Sequence, residues 1–177
     1  MTSITIPSSV ITIDDIPLFD GCYNLADIIV DENNPVYKSI DGVLYSKDGK
    51  TLIACPQGKN TGITIPDSVT SIGDRAFEGC TRLTGITVDE NNPVYKSIDG
   101  VLYSKDEKTL ITYPQGKTNT SFTIPDSVTS IGDNAFAHSQ NLTHIAIGDN
   151  VVSIGEYAFY SSEKLERVTI GNGVTYL

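Results

Sequence analysis

Apolar residues recur along the chain at fixed spacings, with polar or variable residues between them. The clearest copy spans residues 128–147 and reads V-x-x-I-G-x-x-A-F-x-x-x-x-x-L-x-x-I-x-I, where x is a variable position. Three more units share this apolar pattern, at Val69, Ile72, Ala76, Phe77, Leu83, Ile86 and Val88, at Val151, Ile154, Ala158, Phe159, Leu165, Val168 and Ile170, and at Val10, Ile13, Phe19, Leu25, Ile28 and Val30. A recurring unit of about two dozen residues is typical of solenoids, in which stacked copies bury a shared apolar stripe.

Each unit predicts two short strands and a corner. The L-x-x-I-x-I end alternates apolar and variable residues, as a strand with one buried face does. The V-x-x-I part is rich in β-branched residues and predicts a second strand or extended stretch. Between them, the A-F pair predicts a tight corner or a single helical turn, with Phe77, Phe136 or Phe159 pointing inward. No window keeps helical periodicity for three turns, so we expect little helix.

A longer segment occurs twice. Residues 31–59 return as residues 89–117 with three differences: Gly49 becomes Glu107, Ala54 becomes Thr112 and Cys55 becomes Tyr113. The segment fits the short unit if Tyr37, Ile40, Leu44, Tyr45 and Leu52 replace Val69, Ile72, Ala76, Phe77 and Leu83, and if Tyr95, Ile98, Leu102, Tyr103 and Leu110 do the same in the second copy. This threading predicts an enlarged coil of the same stack. The alternative is a β-hairpin that protrudes from the stack.

The long segment also contains a turn signal. Lys47-Asp48-Gly49-Lys50 lies between two strand-like stretches and predicts a β-turn in which Gly49 supplies a positive φ. The second copy has Glu107 at that position. Either the turn needs no positive φ, or the second copy bears a cost of about 1 kcal/mol for a left-handed residue.

The unit IPDSVTSIGDRAFEGCTRLTGITV, residues 65–88, resembles the BspA-like class of leucine-rich repeats, whose pattern is I-P-x-x-V-x-x-I-G-x-x-A-F-x-x-C-x-x-L-x-x-I. The resemblance extends over nearly the whole chain. It implies a mainly β leucine-rich-repeat solenoid with short turns or helical corners, curved and right-handed, with about six coils, two of them enlarged. The first unit departs from the pattern, since residues 13–22 read IDDIPLFDGC where the unit has IGDRAFEGC.

We expect a single solenoid domain over residues 1–177, with repeats at approximately 6–30, 31–62, 63–88, 89–121, 122–147 and 148–170. The chain opens inside a strand-like ITIP stretch and stops at Leu177 within the next unit, with no polar capping repeat at either end. Solenoid ends need caps for solubility. We therefore expect a fragment of a longer array that can associate end to end.

The resemblance also implies a function. Proteins of this family are displayed on bacterial or protist cell surfaces and are often tied to adhesion and host-protein binding. The prediction is a non-catalytic module of a bacterial cell-surface or secreted protein that binds a protein ligand, such as a host extracellular protein. The alternative is an architectural spacer or self-associating surface element without a specific ligand. A fold alone does not decide between them.

Composition narrows the range of partners. The formal net charge of −10 disfavours nucleic acid and anionic membranes. The sequence has no apolar stretch of about twenty residues and no apolar segment behind Met1, so neither a membrane span nor a signal peptide is predicted. The resemblance implies a secreted or cell-surface location and hence an export signal that this sequence lacks; a cytosolic repeat protein is the alternative.

Few residues could support catalysis or a cofactor. His138 and His144 are the only histidines, and no nucleophile, zinc or nucleotide motif occurs, so we expect no enzyme activity and no cofactor. Three cysteines are too few for a disulfide framework. Cys22 and Cys80 occupy one place in two units, where Ser139 stands in a third, and this favours buried free thiols.

The DENN stretches at residues 31–34 and 89–92 group oxygen donors that could hold Ca²⁺. Their spacing is not that of an EF-hand loop. Turn-forming side-chain hydrogen bonds before Pro35 and Pro93 are the alternative, and we expect no metal site.

The candidate binding surface is the exposed side of the L-x-x-I-x-I strands, because stacking aligns their variable positions on one sheet face. The residues predicted there are Asp27, Ile29, Thr84, Thr87, Thr143, His144, Glu166, Arg167 and Thr169. An ordinary polar face on a half-buried strand is the alternative interpretation.

Overall fold

Short β-strands and turns make up the regular structure of residues 1–13 and 19–177, the part of the chain that this computed structural model describes. In chain order the strands are β1 (Ser3–Ile6), β2 (Asp27–Val30), β3 (Tyr37–Ile40), β4 (Val43–Ser46), β5 (Thr51–Ala54), β6 (Ile63–Ile65), β7 (Ser71–Ile72), β8 (Ile86–Val88), β9 (Tyr95–Ile98), β10 (Val101–Ser104), β11 (Thr109–Thr112), β12 (Ser121–Thr123), β13 (Ser130–Ile131), β14 (His144–Ile147), β15 (Ser153–Ile154) and β16 (Arg167–Ile170). Within the described residues there is no helix, so the corners are turns and no membrane-spanning helix is found there.

The strands lie in two rows. Parallel pairing forms the sheets β1-β2, β6-β8 and β12-β14-β16 of the first row, and the second row holds the sheets β3-β4-β5-β7 and β9-β10-β11-β13-β15. His144 pairs with Arg167, and Ser130 pairs with Ser153. Each pair is separated by one repeat, so the chain winds as a β-solenoid of about seven turns. The bridge from Ser153 to Tyr176 adds a turn to the six predicted.

Alternation of apolar and polar residues explains the first row. In β14 the side chains of Ile145 and Ile147 are buried, while His144 and Ala146 are only partly buried. Successive side chains of a strand point to opposite faces, so one face enters the core and the other faces outward. The strands predicted in the V-x-x-I segments that begin at Val69, Val128 and Val151 are confirmed as β7, β13 and β15, each only two residues long, whereas residues 10–13 form no strand.

The corners that follow strands β7, β13 and β15 each contain a residue in the left-handed region. Arg75, Asn134 and Tyr157 occupy equivalent places with φ of 57°, 55° and 55°. An L-residue there costs about 1–2 kcal/mol. Because three different side chains adopt the same φ, the conformation belongs to the corner of the coil and not to any one residue.

The interior confirms most of the predicted apolar frame, although Ile170 in the last strand is 45% exposed. Phe77 is buried in one cluster, and Phe136 is buried in another, against which the partly buried Phe159 packs. Rings stack along the coils, with centroid distances of 5.4 Å from Tyr113 to Phe136 and 5.6 Å from Phe136 to Phe159. The buried apolar residues form three clusters, each containing residues of more than one coil, so stacking buries surface that one coil could not bury alone.

The long segments are part of the stack, but the predicted threading is wrong in register. Leu52 was expected in the place of Leu83, whereas β5 pairs with β7 so that Leu52 lies beside Ile72. Leu110 likewise lies beside Ile131. The physical reason is that β3, β4 and β5 form an antiparallel meander, which uses two extra strands before the chain rejoins the second row. We call residues 31–62 and 89–121 the enlarged coils and residues 63–88, 122–147 and 148–170 the regular coils.

The protruding hairpin is therefore not what the chain forms. Val43, Leu44 and Tyr45 of the first meander each expose 1% or less of their surface. The predicted turns are present, and Gly49 and Glu107 have φ of 75° and 62°. The second copy therefore adopts the left-handed conformation with a non-glycine residue. The atypical stretch 13–22 of the first unit falls partly on residues 14–18, which lie outside the described residues.

Candidate functional site

The nine residues of the predicted binding face lie where the strand pattern places them, in or next to first-row strands. Asp27 and Ile29 are in β2, Thr87 is in β8, and the others belong to or precede β8, β14 and β16. Seven are exposed, and Thr143 and His144 are partly buried. Their exposure follows from the inward direction of the alternating isoleucines beside them.

The structure brings five of the nine together at the sheet formed by β12, β14 and β16. His144 pairs with Arg167 on one side and with Ser121 on the other. Thr169 lies beside Ala146 in the same register. Thr143 and Glu166 directly precede the two strands. This group presents an imidazole, a guanidinium, a carboxylate and two hydroxyls on one surface.

A hydrogen-bond chain orients His144. The Thr143 hydroxyl lies 2.9 Å from the Thr120 carbonyl oxygen and 2.8 Å from His144 Nδ1. The hydroxyl has one hydrogen, and when it donates this hydrogen to the carbonyl, the Nδ1–H of His144 donates to the hydroxyl oxygen. This hydrogen bond then fixes the orientation of the imidazole ring.

The four remaining residues are separated from this group. We expected one aligned sheet face, but the first row consists of three sheets. The β3–β4 turn takes the place next to β2, where Ile28 N donates to Gly42 O at 2.9 Å. In the same way, Ile86 N donates to Gly100 O at 2.9 Å. The enlarged coils thus present hairpin tips where the regular coils present strands.

These tips bring in residues that the sequence pattern did not single out. The Lys59 ammonium donates to the Asp41 carbonyl oxygen at 2.6 Å and lies 3.4 Å from Asp27 Oδ1. Lys117 donates to the Asp99 carbonyl oxygen at 2.6 Å. The sequence shows the repeated Asp-Gly and Gly-Lys pairs. Each lysine is 18 residues from the aspartate whose carbonyl oxygen it binds, so only the fold brings the two together.

The DENN stretches act as turns. Asp31 Oδ1 accepts hydrogen bonds from the backbone and side chain of Asn33, at 2.9 and 3.2 Å. Asn34 is fully buried, and its Nδ2 donates to the carbonyl oxygens of Pro7 and Val10, both at 2.8 Å. Among residues 1–13 and 19–177 no group of three or more His, Cys, Asp or Glu is placed to hold a metal ion.

The second copy repeats this arrangement. Asn92 Nδ2 donates to Pro66 O at 2.7 Å and to Val69 O at 2.9 Å, and its Oδ1 accepts from the Val94 and Tyr95 amides. A buried amide with four partners is fully satisfied. Asn34 and Asn92 therefore tie each enlarged coil to the coil before it, a role that the turn interpretation did not include.

Two of the three cysteines, Cys55 and Cys80, are buried free thiols as expected, whereas Cys22 is free but only partly buried. Cys80 Sγ lies 3.4 Å from the Cys55 carbonyl oxygen. The neighbouring Cys55 and burial together raise the pKa of the Cys80 thiol well above its usual value, which keeps it protonated.

The sequence profile described as BspA type Leucine rich repeat region matches six copies over residues 1–47, 54–119 and 112–177. No curated protein sequence matches the chain significantly.

Three solved structures have a similar fold. The pneumococcal vaccine antigen PcpA is 22% identical with a TM-score of 0.68, and the match covers 98% of this chain and 40% of PcpA. A leucine-rich repeat protein from Eubacterium ventriosum is 24% identical with a TM-score of 0.59, covering 90% and 57%. A leucine rich cell surface protein from Faecalibacterium prausnitzii is 24% identical with a TM-score of 0.59, covering 99% and 62%. The chain thus spans less than two thirds of the length of each protein.

Proposed function

Since the chain belongs to the BspA-type leucine-rich repeat family, we propose that it is a non-catalytic protein-binding or adhesion module of a secreted or cell-surface bacterial protein. The partner is a protein ligand, such as a host extracellular protein. The name of the Faecalibacterium prausnitzii structure, a leucine rich cell surface protein, supports the location. The single-domain solenoid over residues 1–177, with the six repeats given above, is part of the same proposal.

The observation that carries the proposal is the sheet β12-β14-β16. There His144 and Arg167 are adjacent across two strands, beside Glu166 and Thr169. Rigid strands hold these side chains in place, so a ligand does not have to order a loop when it binds. Arginine is enriched at the centres of protein interfaces, where it can contribute most of the binding energy.

The test is binding to a panel of immobilised host extracellular-matrix proteins, measured by surface plasmon resonance. A partner that binds the protein should bind the double variant His144→Glu and Arg167→Glu at least about tenfold more weakly. The reason is that an imidazole and a guanidinium are each replaced by a carboxylate. Lys105→Glu is the matched control, since Lys105 is exposed on the turn of the second enlarged coil. Unchanged affinity of the double variant, or binding to no protein of the panel, would contradict the adhesion proposal.

The second candidate is an architectural spacer or self-associating surface element. It is favoured by the near identity of residues 31–59 and 89–117, which leaves little surface diversity for a specific ligand. Analytical ultracentrifugation tests it. A sedimentation coefficient that rises with protein concentration supports self-association, and a constant monomer value contradicts it.

A further inference from the structure

A groove of about 440 Å³ lies along the corners of the coils, away from the strand face. Its lining includes Arg75 and Glu78 of the regular coil 63–88, and Tyr157 and Tyr160 of the regular coil 148–170. The second enlarged coil and the regular coil 122–147, which lie between these two, also line it, and Tyr113 of the enlarged coil is 1% exposed. The volume is within the range of about 300–1,000 Å³ that is usual for ligand sites.

The register of the sheets explains the groove. Thr109 and Ser130 pair across the second row at a separation of 21 residues, whereas Ser121 and His144 pair across the first row at 23. The corner of the second enlarged coil is therefore two residues shorter than the corner of the regular coil that follows it. A short corner between two full ones leaves a depression in the row of corners.

Three side-chain oxygens of groove-lining residues lack a hydrogen-bond partner within the described part of the chain: Tyr113 Oη, Gln115 Oε1 and Glu78 Oε2. Gln115 is 7% exposed, and its Nε2 donates to the Phe77 carbonyl oxygen at 3.1 Å. This bond fixes the orientation of the amide, so Oε1 is the atom that has no partner among the described residues. Buried polar atoms are rarely left unpaired, and such atoms indicate a missing partner.

The lining is strongly acidic. Asp74, Glu78, Asp133 and Glu156 contribute four carboxylates, against the one guanidinium of Arg75. Arg75 Nε is 3.7 Å from Glu78 Oε2, and the two side chains expose 56% and 35% of their surface. An ion pair of this length at the surface is weak, so an incoming cation can replace it. Charge and unpaired acceptors together favour a cationic hydrogen-bond donor.

Exposed aromatic rings border the same groove. Tyr157 and Tyr160 expose 64% and 56% of their surface, and their rings are 5.9 Å apart at an interplanar angle of 86°. His138 lies edge-on to Tyr160 at 5.6 Å. Clusters of exposed aromatic side chains can mark interaction sites, and the face of a tyrosine ring attracts a guanidinium.

We propose that this groove binds an arginine side chain presented by a partner protein. The planar guanidinium has five N–H donors, enough to reach the Glu78 carboxylate and the Gln115 amide oxygen while its face stacks on a tyrosine ring. A lysine offers donors from a single point and stacks less well. The site is on a different surface from the sheet β12-β14-β16, so the two binding proposals can fail independently.

The test uses three capped pentapeptides, Gly-Ser-X-Ser-Gly, in which X is arginine, lysine or citrulline. Citrulline has nearly the shape of arginine without its charge. Backbone amide shifts of the ¹⁵N-labelled protein, followed during titration, give both the site and the affinity. The arginine peptide should shift the signals of Ala137, Tyr157 and Tyr160, and the other two should bind at least about fivefold more weakly.

Variants locate the interaction. Glu78→Gln keeps the size of the side chain and removes its charge, and it should weaken the arginine peptide about tenfold or more. Tyr160→Ala, at an exposed position, should weaken it severalfold without unfolding the protein. Glu163→Gln is the control, since Glu163 is exposed and does not line the groove. The double variant of His144 and Arg167 should bind the arginine peptide normally.

Three results would overturn the proposal. The first is equal binding of the arginine and citrulline peptides, or of the arginine and lysine peptides. The second is an affinity that Glu78→Gln and Tyr160→Ala leave unchanged while their spectra remain folded. The third is a pattern of shifts spread over the acidic surface, which is the signature of non-specific attraction to a chain of net charge −10.

Discussion

The two enlarged coils have nearly the same sequence and the same strands, yet their interiors differ. In the first, Cys55 is buried beside Cys80. In the second, Tyr113 takes its place, with its ring 5.0 Å from Phe122 and 5.4 Å from Phe136. The change from Cys55 to Tyr113, together with Phe122 where the first copy has Ile63, produces an aromatic cluster. The Tyr113 hydroxyl has no hydrogen-bond partner among the described residues. The backbone tolerates both, because the residues that define it are shared.

The shared residues act through hydrogen bonds between coils. Asn34 and Asn92 each bind two carbonyl oxygens of the preceding coil and two amides of their own. The lysines after the two meanders bind equivalent turn carbonyls at 2.6 Å. The comparison shows that polar anchors set the shape of an enlarged coil, while its apolar filling can vary.

The largest effects are expected at Phe136 and Phe77, which lie in the same buried clusters as Tyr113 and Cys55, respectively. Phe136→Ala should destabilise the protein by about 3–5 kcal/mol, because a fully buried ring leaves a cavity among other rings. Phe77→Ala should fall at the lower end of that range, since Phe77 is slightly exposed and has no aromatic pair in the described chain. Urea unfolding followed by circular dichroism measures both. A greater loss for Phe77→Ala would contradict the difference between the two interiors.

Removal of the shared anchors should affect both coils alike. Asn34→Ala and Asn92→Ala should each cost about 2–4 kcal/mol, because each leaves buried backbone groups unpaired. The two free energies of unfolding should agree within about 1 kcal/mol, because the hydrogen bonds are equivalent. Each variant serves as the control for the other. A clear difference between their losses of unfolding free energy would show that the two coils are not anchored in the same way.

Exchange of the residues at positions 55 and 113 between the two coils tests the packing directly. Tyr113→Cys should cost about 2–4 kcal/mol by leaving a cavity beside Phe136. The reverse change, Cys55→Tyr, should cost about 1–3 kcal/mol, because a ring must enter space already filled by Cys80. Equilibrium unfolding measures both, with Cys22→Ser as a control at a partly buried cysteine away from the site. A neutral result for either exchange would mean that the two interiors are interchangeable.

The tyrosine should also make stability depend on alkaline pH. Burial raises the pKa of Tyr113 to about 12, whereas an unfolded tyrosine titrates near pH 10. The unfolded chain therefore loses its proton first, and stability is full below pH 10 and falls as the pH rises toward 12. Tyr113→Phe should make this decline shallower and leave stability at pH 7 equal or slightly higher, because it removes a buried hydroxyl that has no partner in the described part of the chain. Thermal melts at pH 7, 10 and 11 measure it. An identical alkaline decline would show that Tyr113 titrates normally.

The smallest effect is expected at the turns. Glu107 has a positive φ of 62° and pairs with Lys96. Glu107→Gly should relieve a left-handed cost of about 1 kcal/mol but lose a surface ion pair of about 0–1 kcal/mol, so stability should change little. Gly49→Ala has no such compensation and should cost about 1 kcal/mol. Differential scanning calorimetry compares the two, and a stabilising Gly49→Ala would contradict the role of the turn.

The sequence predicted most of the fold and only part of the candidate surface. Residues such as Ile145 and Ile147 mark a strand by local alternation, and a repeat of the same pattern implies stacking. The exposed positions beside them, His144 and Arg167 among them, followed from that alternation. Residues distant in sequence were missed: no local pattern connects Lys59 with Asp41, or Gln115 with Glu78.

By itself, the sequence determined the repeat, the alternating strands and the aromatic interior, because these depend on the period of apolar residues along the chain. The tertiary structure decided the register of the enlarged coils, since Leu52 suits the place of Leu83 as well as that of Ile72 on size and polarity. Only the pairing of β5 with β7 distinguishes the two. That register shortens a corner and inserts a hairpin tip between strands. It thereby creates the groove and divides the strand face, because hydrogen bonds between coils, and not the apolar pattern, select which residues become neighbours.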